Sequence, residues 1–139
     1  MDNRIKDFIA KNNLLSFSVI EENNGNYEIY CASCYYAFDV ANLSLIIKSD
    51  IETKHIKLAM INPNIGIIIA KDSKNLGLLK GVQIKAIFKK AQKNQANLYY
   101  KSFPFATFGV GEIFSLDIVW AKYTDNKLLL SKKLIYTRE

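Results

Sequence analysis

Apolar residues at helical spacing open the chain. Ile5, Phe8 and Ile9 fall on one helix face, and Asn12-Asn13 end that helix. A period of two follows. Leu15, Phe17 and Val19 alternate with Ser16 and Ser18, which predicts a strand, and Asn23-Asn24-Gly25-Asn26 predicts a hairpin turn. Tyr27 to Phe38 returns as a second strand, Asp39 to Asn42 turns, and Leu43 to Lys48 is a third. A short helix is predicted over roughly Thr53 to Ile61, with Ile56, Ala59 and Met60 on one face; Pro63 forbids its continuation. Ile65 to Ala70 is a fourth strand, and its unbroken apolar run predicts burial on both faces.

Asp72 to Leu76 reads as a loop. Gly81 to Lys89 alternates clearly: Val82, Ile84, Ala86 and Phe88 face one way, Gln83, Lys85 and Lys89 the other. Lys93 to Ser102 is predicted helical, and Phe103-Pro104 stops it. Phe105 to Gly111 is an apolar loop. Glu112 to Tyr123 is a long strand with Phe114, Leu116, Ile118 and Trp120 on one face. Thr124-Asp125-Asn126 turns, and Leu128 to Thr137 is the last strand. The pattern predicts a mainly β domain of six or seven antiparallel strands with three short α-helices. Meandering strands of this kind close into a barrel, which removes their edges.

Composition narrows the partners. The chain has 139 residues, enough for one domain with a real core, and half of them are apolar. The net charge is +6, from 19 basic and 13 acidic residues, and the basic residues are scattered. Lys89-Lys90 with Lys93, and Lys132-Lys133, are the densest groups. No nucleic-acid motif accompanies them, so nucleic acid is not the expected partner; a polyanionic small ligand suits the same charge. The N-terminus lacks the apolar core of a signal peptide, and no run approaches the roughly 18 residues of a membrane span. A cytoplasmic protein without a membrane contact is expected.

The chemistry centres on Glu52-Thr53-Lys54-His55. A hydroxyl and an ammonium lie side by side where a short helix begins. Backbone N–H groups there are unpaired and carry positive partial charge, which makes a phosphate seat. His55 is the single histidine. A metal site needs several ligands, so no metal is expected, and His55 reads as a polar surface residue. Cys31 and Cys34 form a Cys-x-x-Cys on a strand, where residues three apart face opposite ways; neither a disulfide nor a metal suits them. Gly109-Val110-Gly111 lacks the strand-turn-helix setting of a dinucleotide loop. Ser16, Ser18, Ser33 and Ser115 have no partners in a nucleophilic order.

Several of these pieces together resemble the pyridoxamine-phosphate-oxidase-like FMN-binding split barrels. More narrowly, the chain looks like a small uncharacterised bacterial subfamily of them. The matching pieces are Tyr35 to Asp39, Glu52 to His55 with Asn62-Pro63, Gly81 to Lys85, Phe103-Pro104, Tyr123 to Asn126 and Lys132 to Tyr136. The resemblance covers nearly the whole chain, as one split-barrel domain over residues 1–139. It implies a homodimer with FMN in clefts between the subunits. By position, Ser49, Thr53 and Lys54 take the phosphate. The strand from Cys31 to Tyr36, with Ile47 and Lys48, lies along the ribityl chain and ring. Gln83 reaches the flavin edge, and Thr124 and Lys133 fall near further flavin contacts. Two apolar strand faces, Phe114 to Trp120 and Leu128 to Leu134, are expected to need a second copy.

The departures shape the expected activity. Cys31, Ser33 and Tyr35 stand where the oxidases carry a basic strand, and Leu129 and Ser131 where they carry Arg and His. Pyridoxamine phosphate oxidation is therefore not expected. The reading is an FMN-binding flavoprotein of oxidoreductase type. The alternative is a non-enzymatic protein that stores or senses flavin or haem.

Overall fold

The computed structural model describes residues 1–128 and 133–139. The strands β1 (Leu14–Asn23), β2 (Asn26–Asp39), β3 (Ser44–Ser49), β4 (Asn64–Lys71), β5 (Lys80–Lys90), β6 (Glu112–Asp125) and β7 (Leu134–Thr137) form one antiparallel sheet. Three helices interrupt them: α1 (Asn3–Lys11), α2 (Lys54–Ile61) and α3 (Lys93–Ser102). The sheet order is β3-β2-β1-β4-β5-β6-β7, and β3 also pairs with β6. That second pairing closes a barrel. β6 is long enough to serve two neighbours on one edge: β3 beside Glu112 to Asp117, then β7 beside Trp120 to Tyr123. The barrel is split between the start of β3, at Ser44, and the end of β7, at Thr137.

The split is bridged by Arg138. Its Nε donates to the Ile118 carbonyl at 2.7 Å, and one terminal nitrogen reaches the Asn42 and Leu43 carbonyls at 2.8 and 3.2 Å. Leu43 adopts a left-handed φ of 51°, rare for a bulky residue. Its carbonyl also accepts the Ile118 N–H at 3.0 Å.

Local sequence accounts for most elements. Asn24 and Gly25 both have positive φ, 52° and 82°, which is the two-residue turn whose twist matches paired strands. The barrel interior takes Leu15, Phe17, Val19, Leu45, Ile47, Ile65, Ile67, Ile69, Val82, Ile84, Phe88, Phe114, Leu116 and Ile118. α1 adds Ile5, Phe8 and Ile9, and α2 adds Ile56 and Ala59. α3 packs on the opposite face of β3, with Tyr99 against Ala37 and Ile46. A buried polar chain holds it there: Gln95 donates to Asp39 at 3.0 Å, and Ser115 and Ser44 both donate to Asp117 at 2.7 Å.

Four details differ from the sequence reading. β6 carries a bulge: Lys85 faces Trp120 and Ala86 faces Ile118, so Val119 is an extra residue. It reverses the alternation beyond it. Trp120 therefore turns outward, with the Lys85 ammonium 5.5 Å from its ring, and Ala121 and Tyr123 turn inward. β4 buries one face only, because among the described residues no helix covers the other; Ile68 is exposed there. Met60 is likewise exposed, while Ile56 and Ala59 are buried. Finally, the Phe114-Leu116-Ile118 stripe is satisfied inside the barrel and leaves nothing for a second copy to cover. The Leu128 to Leu134 face lies largely outside the described residues.

Tyr36 ties β2 to α1. Its buried hydroxyl donates to the Ile9 carbonyl at 2.7 Å, near the end of that helix. Tyr36→Phe should destabilise the fold by about 1–3 kcal/mol, because it leaves a buried acceptor unpaired. Chemical denaturation with an unchanged m-value checks this. A loss below about 0.5 kcal/mol would mean the carbonyl finds another donor.

Candidate functional site

The end of β3 and the start of α2 build the site. Alternation along β3 sends Leu45, Ile47 and Ser49 to the barrel side, and Ser44, Ile46 and Lys48 to the α3 side. The chain then turns through Asp50 to Glu52. Thr53 is the N-cap of α2, but its hydroxyl makes no cap bond. It donates instead to the Asp50 carbonyl at 2.7 Å. The first N–H groups of α2 thus have neither an intrahelical partner nor a side-chain cap.

His55 joins the two hydroxyls. Its Nε2 lies 2.9 Å from Ser49 Oγ and 3.3 Å from Thr53 Oγ1. Its ring meets Phe17 edge-on at 5.3 Å. Burial pushes its pKa below the usual imidazole value of 6.5, so the ring is neutral at pH 7. Sequence reasoning placed His55 on the surface. The available signal was its place between Thr53 and the apolar Ile56, at a helix start that turns back onto the barrel.

The lysines are placed differently. The Lys54 ammonium pairs with Glu21 at 3.0 Å and sits 4.9 Å from the Tyr30 ring centre. That contact holds its pKa above the ordinary value, chiefly through the hydrogen bond to Glu21. Glu21 faces Glu28 across the hairpin, so Lys54 also offsets a like-charge cross-strand pair. The Lys48 ammonium donates to the Ala106 and Gly109 carbonyls at 2.5 and 2.9 Å and lies 5.0 Å from the Tyr100 ring centre. Gln83 is on the outer face of β5, opposite Ile68 and Lys122. It lines a shallow groove of about 360 Å³ with Ser16, Ser18, Cys31, Gly66 and Trp120. Thr124 borders an adjoining hollow with Gln83 and Ile68. Lys133 is exposed, directly after the undescribed residues 129–132. The structure thus brings Ser49 and Thr53 together through His55, and sets Lys48 and Gln83 on other faces. The two thiols diverge: Cys31 is exposed, while Cys34 faces inward and burial pushes it up to about 12.

No family model matches the chain. It is 47% identical to a UPF0306 protein of Campylobacter jejuni over 140 aligned positions that cover 100% of both chains. It is also 31% identical to a UPF0306 protein of Yersinia pseudotuberculosis over 115 residues, 80% of this chain and 78% of the relative. The chain belongs to the UPF0306 family. Solved structures similar to this UPF0306 chain include a heme binding protein from Mycobacterium smegmatis, with TM-score 0.77 and 9% identity. That match covers 94% of this chain and 55% of the other. A FAD-binding protein from Mesorhizobium loti matches with TM-score 0.69 and 15% identity over 86% and 88% of the two chains. HutZ, the heme storage protein of Vibrio cholerae, matches with TM-score 0.63 and 13% identity over 84% and 89%. At these identities the likeness is one of fold, and it agrees with a split β-barrel. No helix among the described residues of this UPF0306 protein is long and apolar enough to cross a membrane.

The single histidine makes the site easy to follow. By NMR, the His55 ring should titrate below 6.5. Its folded value is depressed, so its contribution to stability is complete above the unfolded value of about 6.5 and falls as pH drops toward the lower folded value. A folded value above 6.5 would show that the imidazolium, and not the neutral ring, faces Ser49 and Thr53.

Proposed function

We propose that this protein binds the phosphorylated flavin FMN, with the phosphate at the start of α2. The observation that carries the reading is the helix start without a side-chain cap, flanked by the Ser49 and Thr53 hydroxyls. Free N–H groups suit a phosphate oxyanion, and the two hydroxyls join them by turning from the Asp50 carbonyl and from His55 Nε2. The fold supports the same reading, since one fold neighbour is named as FAD-binding. Lys54 reaches this phosphate by leaving Glu21, and the exposed ammonium is free to do so. Gln83 is assigned to the flavin edge from across a subunit boundary, because within one chain it lies on the other side of the sheet. Lys48 and Lys133 complete the proposed set, Lys48 by fixing the loop beside Ser49.

The groove on the outer face, with Ile68 and Trp120, is proposed as the homodimer contact. Ile29 and Ile135 extend the exposed apolar surface of that sheet. An interface that holds two such subunits permanently buries on the order of 2,000 Å² or more. Bound FMN supplies hydride and electron transfer, while the protein supplies placement and electrostatics. The proposed activity is accordingly of oxidoreductase type.

A second reading, haem binding or storage, has the names of two fold neighbours in its favour. Haem iron takes an axial side-chain ligand. Here the single histidine offers Nε2, which would have to leave the Ser49 and Thr53 hydroxyls to bind iron. The absorption spectrum of the native protein separates the two: a flavin spectrum supports the first reading, a haem spectrum the second.

Thr53→Val should weaken FMN binding by about one to two decades, the effect of removing one charge-assisted bond of roughly 1.5–3 kcal/mol. Lys54→Ala should also weaken it, and Lys93→Ala, on the exposed side of α3, should not. Flavin fluorescence titration reads all three; equal affinities would place the phosphate elsewhere. Sedimentation should give a dimer at micromolar concentration, and a monomer would remove the shared flavin cleft.

A further inference from the structure

The loop before β6 presents three large apolar side chains to solvent. Phe105 is 89% exposed, Phe108 90% and Val110 85%. Such a concentration marks a contact surface, because burying each group is favourable by the hydrophobic effect.

The loop is firmly held. Its start, Phe103, packs on Tyr99 and Tyr35 with ring centres 5.0 and 5.9 Å apart. Its middle is a 3₁₀ turn over Pro104–Phe108, with Thr107 Oγ1 donating to the Pro104 carbonyl at 2.7 Å. Lys48 clamps the Ala106 and Gly109 carbonyls. Gly111, at a φ of 136°, lies against Ser49; a Cβ there would stand 3.0 Å from the Ser49 backbone carbon and oxygen. Two consecutive residues of β3 thus fasten the loop, and the second, Ser49, belongs to the phosphate site. Residues 103–111 carry no charge. A flat, neutral group suits this surface better than a charged partner.

We infer that Phe105, Phe108 and Val110 form the apolar wall that receives the ring system of the ligand whose phosphate sits at α2. This inference rests on the proposed function and extends it: the phosphate end takes any phosphate ester, and the wall selects one that carries an aromatic ring. Lys48 and Gly111 set the wall's position relative to Ser49.

The test compares FMN with ribitol 5-phosphate, which keeps the phosphate and polyol chain but lacks the ring. Binding to the full chain is measured by calorimetry, with competition for the weaker ligand. The Phe105→Ala/Phe108→Ala variant changes side chains with almost no intrachain burial, so its fold should be intact, and circular dichroism checks this. The expected result is about a tenfold loss for FMN and no change for ribitol 5-phosphate. Unchanged FMN affinity overturns the inference while the phosphate site stands. Unchanged FMN affinity with a dimer that dissociates assigns the loop to a second copy, and also overturns it. Equal losses for both ligands show a role without ring selectivity, and overturn it as well. If the wild-type protein binds neither ligand, the proposed function itself has failed and the inference falls with it.

Discussion

The pairing of β3 with β6 is the constraint on which the other features depend. It joins residues about seventy positions apart and turns a meander into a barrel. Because β6 runs on past Ser44, where β3 starts, the same edge has room for β7, and Arg138 fills the step between them. The pairing also sets Ser49 opposite Glu112. That register brings Gly111 against Ser49 and Asp50 at the end of β3, and α2 begins after the turn that follows. The site is therefore a product of closure and not of any one segment.

Its electrostatics are those of neutral donors. The charge of +6 suggests cations waiting for an anion, but the two lysines nearest the site have other roles. Lys48 holds a loop, and Lys54 steadies a hairpin that places two glutamates face to face. What remains at the helix start is a pair of hydroxyls, an uncharged imidazole and backbone N–H groups, beside an Asp50 carboxylate that accepts the Glu52 N–H and a Glu52 carboxylate paired with Lys57. A site of this kind discriminates by geometry, since hydroxyls and amides must be aimed, whereas an ammonium attracts from any side.

Much of the fold was legible in the sequence, and the reasons are local. Asn24-Gly25 specifies a turn, Pro63 and Pro104 stop helices, and period-two alternation marks β1 and β5. What was not legible depends on partners elsewhere in the chain. The bulge at Val119 is invisible to a count of alternation, so Trp120 was assigned to the wrong face. The burial of Ile68 was overestimated, because an apolar run does not say whether a helix lies above it. Thr53 was singled out by its place at a helix start, and Ser49 only by the resemblance. His55 was missed because its environment is supplied by Phe17, 38 positions away, and the salt bridge of Lys54 because Glu21 is on the β1–β2 hairpin while Lys54 opens α2.

The hairpin itself has a consequence for solubility. β4 pairs with β1 only from Ser16 to Ser18, and β3 pairs with β2 only from Tyr36 to Asp39. The rest of the β1–β2 ribbon extends with both outer edges open. Open edges rich in Tyr and Ile, here Tyr27, Ile29 and Tyr30, template the addition of further strands and hence aggregation. Glu21, Glu22 and Glu28 lie along the same stretch. Their mutual repulsion weakens the ribbon slightly, yet a second ribbon stacking edge to edge would bring the same carboxylates together again. The charge pattern that weakens the hairpin locally thus opposes the addition of a further strand to its open edges.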